Sequence, residues 1–74
     1  MGCDNIGEFR MRWQLSQRSD GQEYFEGWLS NISDVVTFEA SNIEGLYQEA
    51  MVSIEDYLED CRELGRDIPF ISEE

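Results

Sequence analysis

The spacing of apolar residues between Ile43 and Leu64 constrains this chain more than any other feature. Ile43, Leu46, Tyr47, Ala50, Ile54, Tyr57, Leu58, Cys61 and Leu64 recur at steps of three and four, the period that lines one face of an α-helix. Ser41 with Glu44 three residues later has the capping-box pattern, so the helix is predicted to start near Ser41 or Asn42. Gly65 suits the left-handed position just past a helix end. A stripe of about six turns must be buried against another apolar surface, because an isolated amphipathic helix has no core of its own.

The residues ahead of it supply that surface. From Phe9 to Leu15 the chain alternates strictly: Phe9, Met11, Trp13 and Leu15 on one side, Arg10, Arg12 and Gln14 on the other. This is the period of a half-buried strand. Ser19-Asp20-Gly21 carries hairpin-turn chemistry, and a second strand is predicted over Glu23 to Leu29. Its more apolar set is Phe25, Gly27 and Leu29, with Gly27 marking a bulge or a close approach. After a turn cluster at Asn31 to Asp34, the run from Val35 to Ala40 is rich in β-branched and aromatic residues and reads as a third strand. Asp67 to Ile71 is read as a short last strand or an extended tail, with Pro69 where no ladder hydrogen bond is needed.

The predicted fold is therefore α+β: a three- to four-stranded antiparallel sheet with one long helix packed on one face. Residues 1–7 show no periodicity and are read as a disordered lead, 8–71 as a single domain and 72–74 as an acidic tail. At 74 residues the core is thin. A second copy is thus an expected source of stability, with an open sheet edge as the place for it.

Charge narrows the function. Seventeen acidic residues stand against five arginines, with no Lys or His, giving a formal charge of −12. Direct binding to nucleic acid or anionic lipid relies on Lys and Arg, so both are disfavoured. Encounter with basic surfaces is favoured. The outward helix face concentrates the charge in Glu44, Glu49, Glu55, Asp56, Glu59, Asp60 and Glu63. Glu55, Glu59 and Glu63 are successive i,i+4 neighbours, as are Asp56 and Asp60, and each like-charge pair costs roughly 0.2–0.5 kcal/mol. Acidic residues near the C-terminal end also oppose the helix dipole. A face built against its own stability is read as a docking surface for a basic partner; the plain alternative is a solvated face rich in Glu.

Catalysis and cofactors find little support. Without His there is no base to activate Ser and no Glu-x-x-His metal pair. No calcium-loop pattern occurs, and Cys3 and Cys61 lack a zinc spacing, so they read as free thiols in a reducing cytoplasm. No cofactor or metal is expected. No apolar run reaches membrane-span length, and no signal peptide is visible.

Particular residues from the third strand onward resemble the HicB antitoxin family: Thr37-Phe38-Glu39-Ala40-Ser41, Glu49-Ala50, Ser53-Ile54-Glu55-Asp56-Tyr57-Leu58, and Cys61-Arg62-Glu63-Leu64-Gly65-Arg66-Asp67-Ile68-Pro69. The likeness covers about half the chain. The family has Gly where Ala40 stands, and it continues into a DNA-binding domain where this sequence ends at Glu74, so operator binding is not expected. The resemblance implies a partial RNase-H-like β-β-β-α-β domain without catalysis, assembly into homodimers or higher oligomers, and neutralisation of a small basic RNase toxin. The alternative is a stand-alone nucleic-acid mimic, such as a phage inhibitor of CRISPR or restriction machinery. Helix carboxylates one turn apart lie about 6 Å apart along the axis, not far from the spacing of phosphates on a strand.

Overall fold

The computed structural model describes residues 1–72. Its order is β1 (Gly2–Ile6), β2 (Phe9–Gln17), β3 (Glu23–Leu29), β4 (Thr37–Ala40) and α1 (Ile43–Leu64). The strands form one antiparallel meander in the order β1-β2-β3-β4. The helix packs on one face of that sheet, chiefly over β4 and β3, which is the expected α+β architecture. Of the predicted acidic tail, Glu73 and Glu74 lie outside the described residues.

The sheet's pleat divides its side chains into two sets. Phe9 and Met11 of β2, Leu29 of β3 and Phe38 of β4 point toward the helix and join Ile32, Leu46, Ala50 and Ile54 in the core. Met11 and Leu46 are fully buried. Truncating a side chain such as Leu46 to Ala costs about 2–5 kcal/mol at sites of this kind. Gly27 is the close approach its position suggested: a Cβ there would lie 2.6 Å from the Phe38 ring. The hairpin at Asp20-Gly21 also forms as expected, with Gly21 at φ 91 and Arg18 N–H donating to the Gln22 carbonyl at 2.8 Å.

The largest correction is at the N-terminus. Residues 2–6, expected as part of a disordered lead, pair with β2 in the register Gly2↔Trp13 through Ile6↔Phe9. A two-residue turn with Gly7 at φ 60 makes the reversal. Gly2 lies so close to the Trp13 indole that any Cβ would overlap it. The side chains contribute little apolar periodicity, so the strand is recruited by β2 rather than by its own pattern. At the other end, Asp67 to Ile71 makes only an isolated Ile32–Phe70 bridge. Pro69 there contributes its carbonyl, which accepts from Ser33 N–H at 3.0 Å. The fourth strand of the sheet thus comes from the N-terminal side.

Three smaller differences have local causes. The third predicted strand is shorter, because Val35 is 89% exposed and the ladder starts at Thr37. Leu15, on the predicted inward side of β2, is half exposed. Leu64 keeps the helical period but is 72% exposed in the last helical position.

Candidate interaction surface on the helix

Helix α1 begins differently from the capping-box prediction. Asn42, not Ser41, is the N-cap, and its side-chain oxygen accepts from Gly45 N–H at 2.7 Å. The short side chain satisfies one of the free amides of the first turn. At the far end Gly65 takes φ 64, its N–H donates to the Arg62 carbonyl, and Arg66 N–H donates to the Cys61 carbonyl. The chain therefore leaves the helix where a residue without Cβ bears the left-handed turn.

Two tyrosine–aspartate clamps hold the helix to the rest of the fold, one to β1 and one to the loop between β3 and β4. Tyr47 O–H donates to Asp4 of β1 at 2.7 Å, with the Tyr47 ring edge-on to Trp13. Tyr57 O–H donates to Asp34 at 2.7 Å, and Arg66 reaches the same carboxylate oxygen at 2.6 Å. The Tyr57 ring stands edge-on to Phe9. The hydrogen bonds from Tyr47 and Tyr57 hold Asp4 and Asp34 below the ordinary carboxylate range. Burial first, and then Asp34, pushes the Tyr57 hydroxyl well above the ordinary tyrosine value. These clamps were not foreseen in the sequence. They join residues 43 and 23 positions apart, and no local spacing signals such a pair.

With Leu46, Ala50, Ile54 and Cys61 buried beneath the helix, the opposite side is fixed outward. All seven predicted carboxylates, Glu44, Glu49, Glu55, Asp56, Glu59, Asp60 and Glu63, are exposed. At about 100° per residue they fall within an arc of roughly 160°, so the fold does bring them onto one surface. None has a hydrogen-bond or ion-pair partner among the described residues, Arg62 included. Val52 sits near the middle of this arc and is 54% exposed. The sequence reading passed over it because it is neither acidic nor part of the buried stripe. Its place on the helical wheel was the available signal.

Among the described residues no group of three or more His, Cys, Asp or Glu side chains is placed to hold a metal ion. No helix there is long and apolar enough to cross a membrane. What the arc offers is a dense, unneutralised anionic strip with one apolar side chain inside it. Comparison with protein-family models, with curated proteins and with solved structures finds no match to this chain.

Proposed function

We propose that the chain is a non-enzymatic, HicB-like acidic domain of the cytoplasm that masks a basic, nucleic-acid-handling protein, in the simplest case an RNase toxin. The observation that carries this reading is the arc of seven exposed carboxylates, none with a partner among the described residues. Such groups are placed to meet an incoming Lys or Arg, and the −12 balance steers a basic surface toward them. Glu55, Glu59 and Glu63 would pair with the basic groups that guide RNA into the toxin, and Val52 would supply an apolar contact at the centre.

One observation favours a second reading of the same surface. The three glutamates repeat every turn, about 6 Å along the axis, which suits imitation of a phosphate strand in a defence nucleoprotein complex. Under that reading DNA or RNA competes with the protein for one site.

Co-expression with a small basic RNase encoded beside this gene is the test. The expected outcome is restored growth and co-purification, both lost in E55K/E59K. Neutralisation by that variant as effective as by the wild-type chain would overturn the assignment. Under the mimic reading, inhibition of the defence nuclease falls as competing nucleic acid is added.

A further inference from the structure

The two edges of the sheet are finished differently. In an antiparallel pair, residues that exchange both backbone hydrogen bonds with the partner strand alternate with residues that turn both groups away from it. Leu29 N–H donates to the Val36 carbonyl at 3.1 Å, and the register sets Gly27 opposite Phe38 and Phe25 opposite Ala40 in the same phase. The N–H and C=O groups of Thr37 and Glu39 therefore point away from β3, out of the sheet, and Val35 continues that phase. None of these groups has a partner among the described residues. On the opposite edge the same alternation turns Asn5 of β1 outward. Its N–H is already taken by Asp4 Oδ1 at 2.8 Å.

Nothing blunts the β4 edge. Val35 to Ala40 contains no Pro or Lys, and β4 pairs with β3 without a bulge; these are devices by which an edge strand avoids a new neighbour. Its one charge, Glu39, is tied to Arg18 at 2.9 Å, and Val35 stands exposed in line with the strand. Beside this edge lies one flank of the helix. Tyr57 marks it by reaching Asp34 in the loop ahead of β4, whereas Tyr47 turns to the opposite flank and β1. At about 100° per residue, Asp60, Glu49 and Asp56 follow Tyr57 round the helix away from the core. These three carboxylates are exposed and have no partner among the described residues.

We infer that the β4 edge takes an extended, lysine- or arginine-bearing segment of the basic partner as an antiparallel fifth strand. Main-chain hydrogen bonds to Thr37 and Glu39 hold such a strand, and its alternate side chains set the specificity. The residues that bond to Thr37 and Glu39 turn their side chains to the sheet face where Val35 and Thr37 lie, which favours β-branched residues there. The intervening residues turn toward the helix flank, where cations meet Asp60, Glu49 and Asp56. A second copy of this chain at the same edge would bring two such acidic flanks together, so charge selects a basic occupant. A run of arginines alone has the charge for the helix but no residue suited to lie beside Val35 and Thr37. The identity of the occupant rests on the partner-masking reading, whereas the open edge does not.

Amide chemical shifts and hydrogen exchange of the full chain, with a heptapeptide alternating lysine with valine and threonine, are the test. The Thr37 and Glu39 amides are expected to shift and to exchange at least tenfold more slowly. N-methylation at the valine and threonine positions removes the donors aimed at β4 and is expected to abolish that protection. N-methylation at the lysines is expected to leave it. Thr37→Pro removes an N–H that the ladder to β3 does not use. It is expected to weaken binding of the unmodified peptide at least tenfold, with circular dichroism confirming the fold; the methylated peptides serve if it fails to fold. Shifts on the helix arc alone, equal for all three peptides, would overturn this inference and leave the masking reading standing. Protection of Thr37 and Glu39 that grows with protein concentration and needs no peptide would assign the edge to a second copy and overturn it too. Shifts at neither the edge nor the arc would overturn both.

Discussion

The carboxylates of the sheet and its loops and those of the helix differ in what surrounds them. Glu26 accepts hydrogen bonds from Gln14, Ser16 and Tyr24, which hold it below the ordinary glutamate range. Glu39 is paired with Arg18, Asp34 with Tyr57 and Arg66, and Asp4 with Tyr47. On the outer arc of α1, seven carboxylates have no partner among the described residues. The same chemical group thus serves internal cohesion in one region and lies unused by the fold in the other. Unused charge that costs helix stability is where an external role is best sought.

The two regions should separate cleanly under mutation. The largest effect is expected for E55K/E59K, which should weaken binding to a basic partner by about 100-fold, or ~2.7 kcal/mol. Its thermal midpoint should remain unchanged or rise slightly, since like-charge neighbours are removed. Titration calorimetry and thermal melts on one preparation check both halves. A variant that binds normally would break the contrast.

Next in size is the clamp. Tyr57→Phe removes the hydroxyl that Asp34 accepts and should lower the melting temperature by roughly 5 °C, without altering partner affinity at a temperature where both proteins are folded. A loss of affinity equal to that of E55K/E59K would show that the two regions are not independent.

The pH response sharpens the same division. Asp34 and Asp4 have depressed folded-state values, so their contribution is present above the ordinary 3.8 and is lost as pH falls through the folded value. Tyr57 is raised, so its contribution is complete below the ordinary 10.0 and is lost as pH climbs above it. Melts across pH should therefore show an acid limb that flattens in Asp34→Asn and an alkaline limb that flattens in Tyr57→Phe. Limbs identical to wild type would contradict the clamp.

The smallest effect is neutralisation without reversal. Glu59→Gln relieves two like-charge pairs and should stabilise the fold by about 0.4–1 kcal/mol, whereas Glu26→Gln should destabilise it by weakening its hydrogen bonds to Gln14, Ser16 and Tyr24. Opposite signs in denaturant titrations support the comparison; equal signs would undo it.

Much of this was legible in the sequence where a single period governs. The bounds Ile43–Leu64 follow from apolar steps of three and four, and β3 from alternation between Glu23 and Leu29. The outward placement of all seven carboxylates follows from the same helical period. β1 was not legible, because Gly-Cys-Asp-Asn-Ile carries one strongly apolar residue and becomes a strand through Gly2's fit on Trp13. The cap was misplaced by one residue because Ser41 and Asn42 are both good caps, and only backbone geometry chooses between them. The clamps, and the lack of partners for the arc among the described residues, are properties of tertiary placement, beyond any local pattern.

The central claim is that the outer arc of α1 is the surface that takes a basic partner, and amide chemical-shift mapping with an octa-arginine peptide tests it most directly. Perturbations are predicted along residues 49–63 on the arc, Val52 included, and should fade toward about 1 M salt, where the Debye length is ~3 Å. Perturbations centred on Glu26, Glu39 or Asp34, or spread evenly over the molecule, would contradict it.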